Sequence, residues 1–378
     1  MSGRASRTRG FVLVGLIVVV VVAALVGGCG DTTTTTAAAT STSGAAPTTA
    51  APTTTAAVAV RVSLTGAGAT FPAPLYLEWI GAFMDANENT TINYQGIGSG
   101  GGIQQFTQMT VDFGASDAPM KDEEIAAAEA AGGSSVLHIP TVFGAVTLAY
   151  NLTGVSDLKL DADTTVDIFL GTISTWNDPA IVALNPGVTL PGDAIQVVHR
   201  SDSSGTTNAF TSYLAAVSPD WEAEVGAGKE VEWPVGTGGQ GNDGVAAVIQ
   251  QQPGSIGYVE LAYAIESKLA VAALKNQAGS FITPSLESTT AAAAGVEFPD
   301  DLRFSVANSP AADAYPIVTA TWILAFEKMK DANKAEALKS FLTWALSEGE
   351  DVAHELGYAT LPDNLKAVAL QKVGSIRW

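Results

Sequence analysis

The chemistry of this chain concentrates in one stretch, His199-Arg200-Ser201-Asp202-Ser203-Ser204-Gly205-Thr206-Thr207-Asn208-Ala209-Phe210. A fixed cation, hydroxyls and a glycine lie between the apolar run 195–198 and a segment patterned as a helix. A strand ending in such a turn brings backbone N–H groups, hydroxyl donors and the positive end of a helix dipole to one point. That combination suits a small oxyanion. Arg200 offers a forked pair of donors, and Asp202, two residues on, can hold the guanidinium and offset its charge. Ser204, Gly205 and Thr206 add hydroxyls and N–H groups at the helix start. A plain helix cap with surface residues explains Thr206 but not Arg200 together with three serines. No Gly-Lys-Ser/Thr follows, which excludes a Walker A nucleotide loop. His199, Asp202 and Ser204 are the residue types of a catalytic triad, but sequence neighbours seldom meet in that geometry, and no Gly-x-Ser-x-Gly elbow surrounds Ser204. The histidines, His138, His199 and His354, are too widely spaced for a metal-ligand pattern.

Three further segments carry comparable features. In Gly66-Ala67-Gly68-Ala69-Thr70-Phe71-Pro72, glycines allow close backbone approach and Thr70 offers a hydroxyl. Phe71 precedes a proline and is therefore extended, and Pro74 suits the first turn of the next helix. Taken alone, a glycine-rich turn without a ligand is the commoner meaning of such a pattern. Gly96-x-Gly98-x-x-Gly101 formally matches the dinucleotide fingerprint, yet no convincing strand and helix carry an acid at a strand end suited to a ribose, the nearest candidate, Asp117, sitting somewhat early. The alternative is that Ser99 donates its hydroxyl and N–H to an anion. Asp117, after Phe113-Gly114-Ala115-Ser116, is different in kind. An ionised carboxylate only accepts hydrogen bonds, so beside an anion it costs affinity unless the ligand brings a proton. Hydrogen phosphates bring one at neutral pH and sulfate does not, which would make the acid a device for specificity. An aspartate capping the turn before Pro119 fits the same residues equally well.

All four segments fall at strand-to-helix junctions. Short apolar runs at 61–65, 91–95, 113–116, 136–143, 146–151, 196–199, 257–259 and 316–325 read as strands. Helical patterns occupy 74–87, 101–109, 122–131, 164–170, 207–216, 243–251, 333–347 and 350–356. Leu75, Trp79, Ala82 and Phe83 share a face of the first, and Asp122-Glu123-Glu124 marks a helix start. This alternation is the α/β pattern, in which ligands sit at the carboxyl ends of strands, often between lobes.

The ends and the composition constrain the setting. Arg4, Arg7 and Arg9 precede an apolar run, 11–26, that is too short for an ordinary membrane span, and then Gly27-Gly28-Cys29. This is the form of a bacterial lipobox: a signal peptide over 1–28 with lipid on Cys29, the only cysteine. Residues 29–60 are dominated by Thr and Ala and read as a disordered tether. The remaining stretch of about 320 residues exceeds what one core usually supports, so two lobes are expected. The formal charge is −20, and losing the signal arginines takes it to −23. A nucleic-acid partner is thereby excluded. An anion site in so acidic a chain must work through local donors.

Taken together and in order, the motifs resemble those of the substrate-binding protein of the bacterial phosphate-specific ABC transporter. The resemblance runs from Leu64-Thr-Gly-Ala-Gly-Ala-Thr-Phe-Pro through Asn93-Tyr-Gln-Gly-Ile-Gly-Ser, Val111-Asp-Phe-Gly-Ala-Ser-Asp and Arg200-x-Asp-x-Ser-Gly-Thr to Gly241-Asn-Asp-Gly and Gly257-Tyr-Val-Glu. It implies a two-lobed periplasmic-binding-protein fold of type II character, with a hinge of crossing strands at 142–147 and 317–321. Lobe I would comprise 62–143 plus 317–378, and lobe II 144–316. Contacts to phosphate would come from Ala69, Thr70, Phe71, Ser99, Asp117, Arg200, Ser204, Gly205 and Thr206, with Asp202 bracing Arg200. The implied protein is a monomeric, lipid-anchored receptor on the outer face of the cell membrane, with no enzymatic activity, cofactor or metal. It would deliver phosphate to the transmembrane subunits and ATPase of an ABC permease. A receptor for another tetrahedral oxyanion, a phosphate sensor and a secreted phosphatase-like enzyme are the competing readings. The chain departs from the family pattern at Gly100, where a second serine is usual, and at Ser203, where a glycine is usual.

Overall fold

The computed structural model describes residues 60–378. The signal segment 1–28, Cys29 and the tether up to residue 59 lie outside the described residues. From Val62 the chain runs through β1 (Val62–Gly68), α1 (Ala73–Ala86), β2 (Thr90–Gly96), α2 (Ser99–Thr107), β3 (Phe113–Ser116), α3 (Asp122–Gly132) and β4 (Val136–Tyr150). Farther along lie β5 (Gln196–Arg200), α4 (Gly205–Val217), β6 (Thr237–Gly239), α5 (Gly241–Gln251), β7 (Ser255–Glu260) and α6 (Leu261–Glu266). The last elements are β8 (Val318–Phe326), α7 (Ala332–Ala345), α8 (Glu350–Glu355) and α9 (Asp363–Ser375).

These strands form one continuous sheet in the order β2-β1-β3-β8-β4-β7-β5-β6. Its two ends are parallel (β1 with β2 and β3; β5 with β6 and β7), while β8 and β4 run antiparallel through the middle. The change of partner along β4 organises the molecule. Val136 to Ala145 pair with β8, and Val146 to Tyr150 pair with β7. One strand therefore belongs to two half-sheets, and the carboxyl ends of β1, β3 and β5 converge where they meet. Helices cover both faces, so β4 is buried along almost its whole length.

Local chemistry accounts for the helices that flank the site. In α3 the Lys121 N–H donates to Glu124 Oε2 at 2.8 Å, three acids occupy the first turn, and Gly133 closes the helix at φ 68°. In α1, Leu75, Tyr76, Trp79, Ile80 and Phe83 are buried and Trp79 Nε1 donates to Gly349 O at 2.8 Å. Ala82, expected on that face, is exposed. The strands expected separately at 136–143 and 146–151 are the single strand β4. Gly144 reads as a break in sequence but is a close approach, since a Cβ there would lie 2.5 Å from Phe71 Cζ. Likewise α2 and α4 begin two residues earlier than their patterns indicate, because Ser99 and Gly205 serve as first-turn residues rather than loop. The C-terminal segment, including the unforeseen α9, returns to β4, where Phe143 and Ala359 exchange backbone hydrogen bonds of 2.8 and 2.9 Å.

Candidate anion-binding site

Each of the four segments delivers its residues from a strand end. After β1, Ala69 N donates to Ala115 O at 2.9 Å, which spends that donor on the sheet, while the N–H groups of Thr70 and Phe71 find no protein acceptor among the described residues. Ser99 opens α2, preceded by Gly98 at φ 86°. Asp117 follows β3, and Arg200 ends β5. Ser204 caps α4, its Oγ accepting from Thr207 N at 3.1 Å, which leaves the hydroxyl proton available to donate.

These residues meet. Ser99 Oγ accepts from Gly205 N at 3.0 Å and from Asp117 N at 3.2 Å, and it lies 3.4 Å from Asp117 Oδ2. Glycine is required at 205, because a Cβ would fall 2.6 Å from both Asp117 Cβ and Ser99 Oγ. Arg200 Nε donates to Asp202 Oδ1 at 2.7 Å, its Nη2 pairs with Asp202 Oδ2, and Nη1 lies 3.3 Å from Thr206 Oγ1. Asp202 also accepts from Gly241 N at 3.0 Å. Burial alone would raise the Asp202 pKa, but the Arg200 hydrogen bonds and charge outweigh it, and the group sits below its ordinary value. The brace expected from the sequence is therefore in place, and it neutralises most of the cation. Thr70, Ser99, Asp117, Arg200, Ser204 and Thr206 are all buried, none more than 6 % exposed. In such a water-poor setting each hydrogen bond to an anion gains strength.

Asp117 is the exception among donors. Its Oδ1 accepts from Thr321 Oγ1 at 2.8 Å. Burial pushes its pKa up to about 7, against the pull of the Thr321 hydrogen bond and the Arg200 charge. The carboxyl thus exchanges between acceptor and donor near neutrality. The reading of Asp117 as a cap for the following turn does not match this geometry, since both carboxylate oxygens face Thr321 and Ser99.

Sequence reasoning missed Asn242. It sits at the start of α5, where its Nδ2 reaches Thr70 Oγ1 at 2.9 Å and Thr206 Oγ1 at 3.2 Å. Its Oδ1 accepts from Glu260 N at 3.0 Å. One amide thereby joins a hydroxyl from each half-sheet. The signal was present in Gly241-Asn-Asp-Gly, but an uncharged amide in a turn does not announce such a role. Nor does the triad assemble. His199 Nδ1 faces the Arg200 carbonyl at 3.0 Å and its ring stacks on Trp233 with centroids 4.9 Å apart.

The departures at Gly100 and Ser203 turn out to be one exchange. Gly100 N donates to Ser203 O at 3.0 Å across the gap between half-sheets. A Cβ at Gly100 would lie 2.4 Å from Ser203 Cβ and 2.2 Å from its Oγ. Side chains at both positions would therefore collide.

Comparison with known proteins bears on this arrangement. A family model described as a PBP superfamily domain matches residues 32–349. The phosphate-binding protein PstS of Xylella fastidiosa is 44 % identical over 308 residues, covering 80 % of this chain and 83 % of its own. The chain belongs to the PstS family. The PstS protein of Methanocaldococcus jannaschii is 40 % identical over 333 residues, covering 82 % of this chain and 85 % of its own. Among solved structures, a phosphate-binding protein from Stenotrophomonas maltophilia superposes with a TM-score of 0.64 at 20 % identity, over 82 % of this chain and 93 % of its own. That likeness establishes the two-lobed α/β fold. The PstS motifs quoted from the sequence are the same segments that converge around Arg200 and Asp117.

Proposed function

We propose that this chain binds one inorganic phosphate between its lobes, outside the cytoplasmic membrane, and delivers it to an ABC permease for import. The observation that carries the reading is Asp117. A carboxyl lies within a set of donors, 3.4 Å from Ser99 Oγ, and the nearby cation is already held by Asp202. A fully ionised tetrahedral anion gains nothing from that carboxylate, whereas a hydrogen phosphate gives it a proton. The N–H groups of Thr70 and Phe71, the hydroxyls of Ser99, Ser204 and Thr206, and Arg200 supply the remaining hydrogen bonds. Asn242 orients the two threonine hydroxyls.

In this reading lobe I comprises 62–143 with 317–378 and lobe II comprises 144–316. The hinge lies at 142–147 and 317–321, around the point where β4 changes partner. The Val146 N–H donating to Ile317 O at 2.8 Å supports that placement. Ligand contacts from both lobes draw them together. Attachment through lipid on Cys29 and the Thr-rich tether would keep the receptor near the permease. The role is binding and delivery, with no bond-making step.

Calorimetry on the purified full chain in detergent tests the proposal, with phosphate and then sulfate as titrant. Phosphate should bind at least about a thousandfold more tightly than sulfate at pH 8, a difference of about 4 kcal/mol. Equal binding of both, or no binding of phosphate, would overturn the reading.

A further inference from the structure

The loop that carries two of the proposed phosphate donors is held from behind by tyrosines. Tyr94 OH donates to Ala69 O at 2.6 Å, Tyr263 OH to Thr70 O at 2.5 Å, and Tyr358 OH lies 2.7 Å from Phe71 O. Three consecutive carbonyls thus each meet a phenol. In a trans peptide the C=O and the following N–H point in opposite directions. Fixing the Ala69 carbonyl therefore aims the Thr70 N–H, and fixing the Thr70 carbonyl aims the Phe71 N–H. The Thr70 carbonyl also accepts from Ala73 N at 3.1 Å, so Tyr263 adds to a turn that α1 already begins. The tyrosines differ in origin. Tyr94 comes from β2, beside the loop, whereas Tyr263 lies on α6 in the opposite half.

Behind Tyr358 stands Glu260, fully buried at the end of β7. Its Oε2 caps α6 by accepting from Ala262 N at 2.8 Å and lies 3.0 Å from Tyr358 OH, while its Oε1 meets no hydrogen-bond partner. The Tyr358 hydroxyl faces both the Phe71 carbonyl and Glu260 Oε2. Burial drives this carboxyl well above its ordinary range, with Asp117 pushing the same way.

We propose that Tyr263 is a positioning residue for the ligand: its hydroxyl donates to the Thr70 carbonyl and so aims the Phe71 N–H. The clamp rests on the phosphate reading above and deepens it. Through Tyr263, lobe II holds the binding loop of lobe I, so the Phe71 N–H is fully aligned only when the lobes are together. The clamp therefore acts on escape of the ligand rather than on its capture.

The test measures association and dissociation of radiolabelled phosphate on the full chain. Tyr263→Phe removes one hydroxyl, and dissociation should quicken about three- to tenfold with association little changed. The preference over sulfate should survive in this variant, since Asp117 is untouched. Circular dichroism melts verify that it folds. A wild-type chain that ignores phosphate overturns both readings. Wild-type binding matched by Tyr263→Phe in both rates overturns the clamp alone.

Discussion

Asp117→Asn, measured across pH, isolates the group on which ligand choice is proposed to rest. With its pKa pushed up to about 7 by burial, Asp117 is mostly a donor at pH 6 and mostly an acceptor at pH 8. Sulfate needs the donor form. The protonated fraction rises from about a tenth at pH 8 to about nine-tenths at pH 6, so wild-type affinity for sulfate should rise about tenfold over that range. Phosphate needs one proton shared between ligand and carboxyl, which either partner can supply, so its affinity should change far less. The asparagine variant presents an N–H at every pH. Because about a tenth of wild type is in the donor form at pH 8, sulfate should bind the variant about tenfold more tightly than wild type at that pH. Its pH dependence should disappear. Displacement of radiolabelled phosphate by sulfate at pH 6, 7 and 8 reads all of these quantities. A wild-type sulfate affinity flat with pH, or a variant that keeps the wild-type slope, would refute the reasoning.

The same residue links stability to pH. The folded pKa of Asp117 lies above the usual carboxylate value, so between about pH 4 and 7 the folded chain holds more protons than the unfolded one. Stability without ligand therefore falls as pH rises through that window, by on the order of 4 kcal/mol at pH 8 relative to an unburied carboxyl. Asp117→Asn should accordingly melt higher than wild type at pH 8 in the absence of phosphate, with the gap closing near pH 4.

Two further outcomes are expected. Gly100→Ser should weaken phosphate binding about five- to a hundredfold by overpacking against Ser203, and Ser203→Gly in the same chain should restore it. Calorimetry on the single and double variants would contradict the compensating exchange if the effects simply add. Cys29→Ala should abolish lipid attachment in the intact-mass spectrum of membrane-extracted protein, and a persisting lipid mass would exclude the lipobox assignment.

Several features were legible along the chain because they depend on neighbours in sequence. Arg200, Asp202 and Ser204 through Thr206 lie at a strand-to-helix junction, where a fixed cation, a carboxylate and first-turn donors have a local meaning. The spacing of the arginine and its brace was enough to expect their pairing, which the 2.7 Å contact bears out. The α/β alternation was equally readable, since β1 to β3 with their helices follow short-range periodicity. The single strand β4 reads in sequence as two, 136–143 and 146–151, because a glycine inside a strand signals either a break or a close approach. Only the position of the Phe71 ring distinguishes these.

What the sequence by itself offered is a set of candidate donors at strand-to-helix junctions, Thr70, Ser99, Arg200, Ser204 and Thr206, which the resemblance as a whole, more than any one segment, singled out. Tertiary structure decided the properties that depend on distant partners. Burial moves Asp117 up to about 7 against the pull of Thr321, Arg200 and Ser99, a balance that no local pattern around Asp117 encodes. Asn242, 172 residues from Thr70 along the chain, became part of the site only through the folding of α5 against the β1 loop. Tyr94 and Glu260 lie within motifs legible in the sequence, but what they and Tyr263 face was not legible, because β4 passes from one half-sheet to the other and sets side chains from both against the loop after β1.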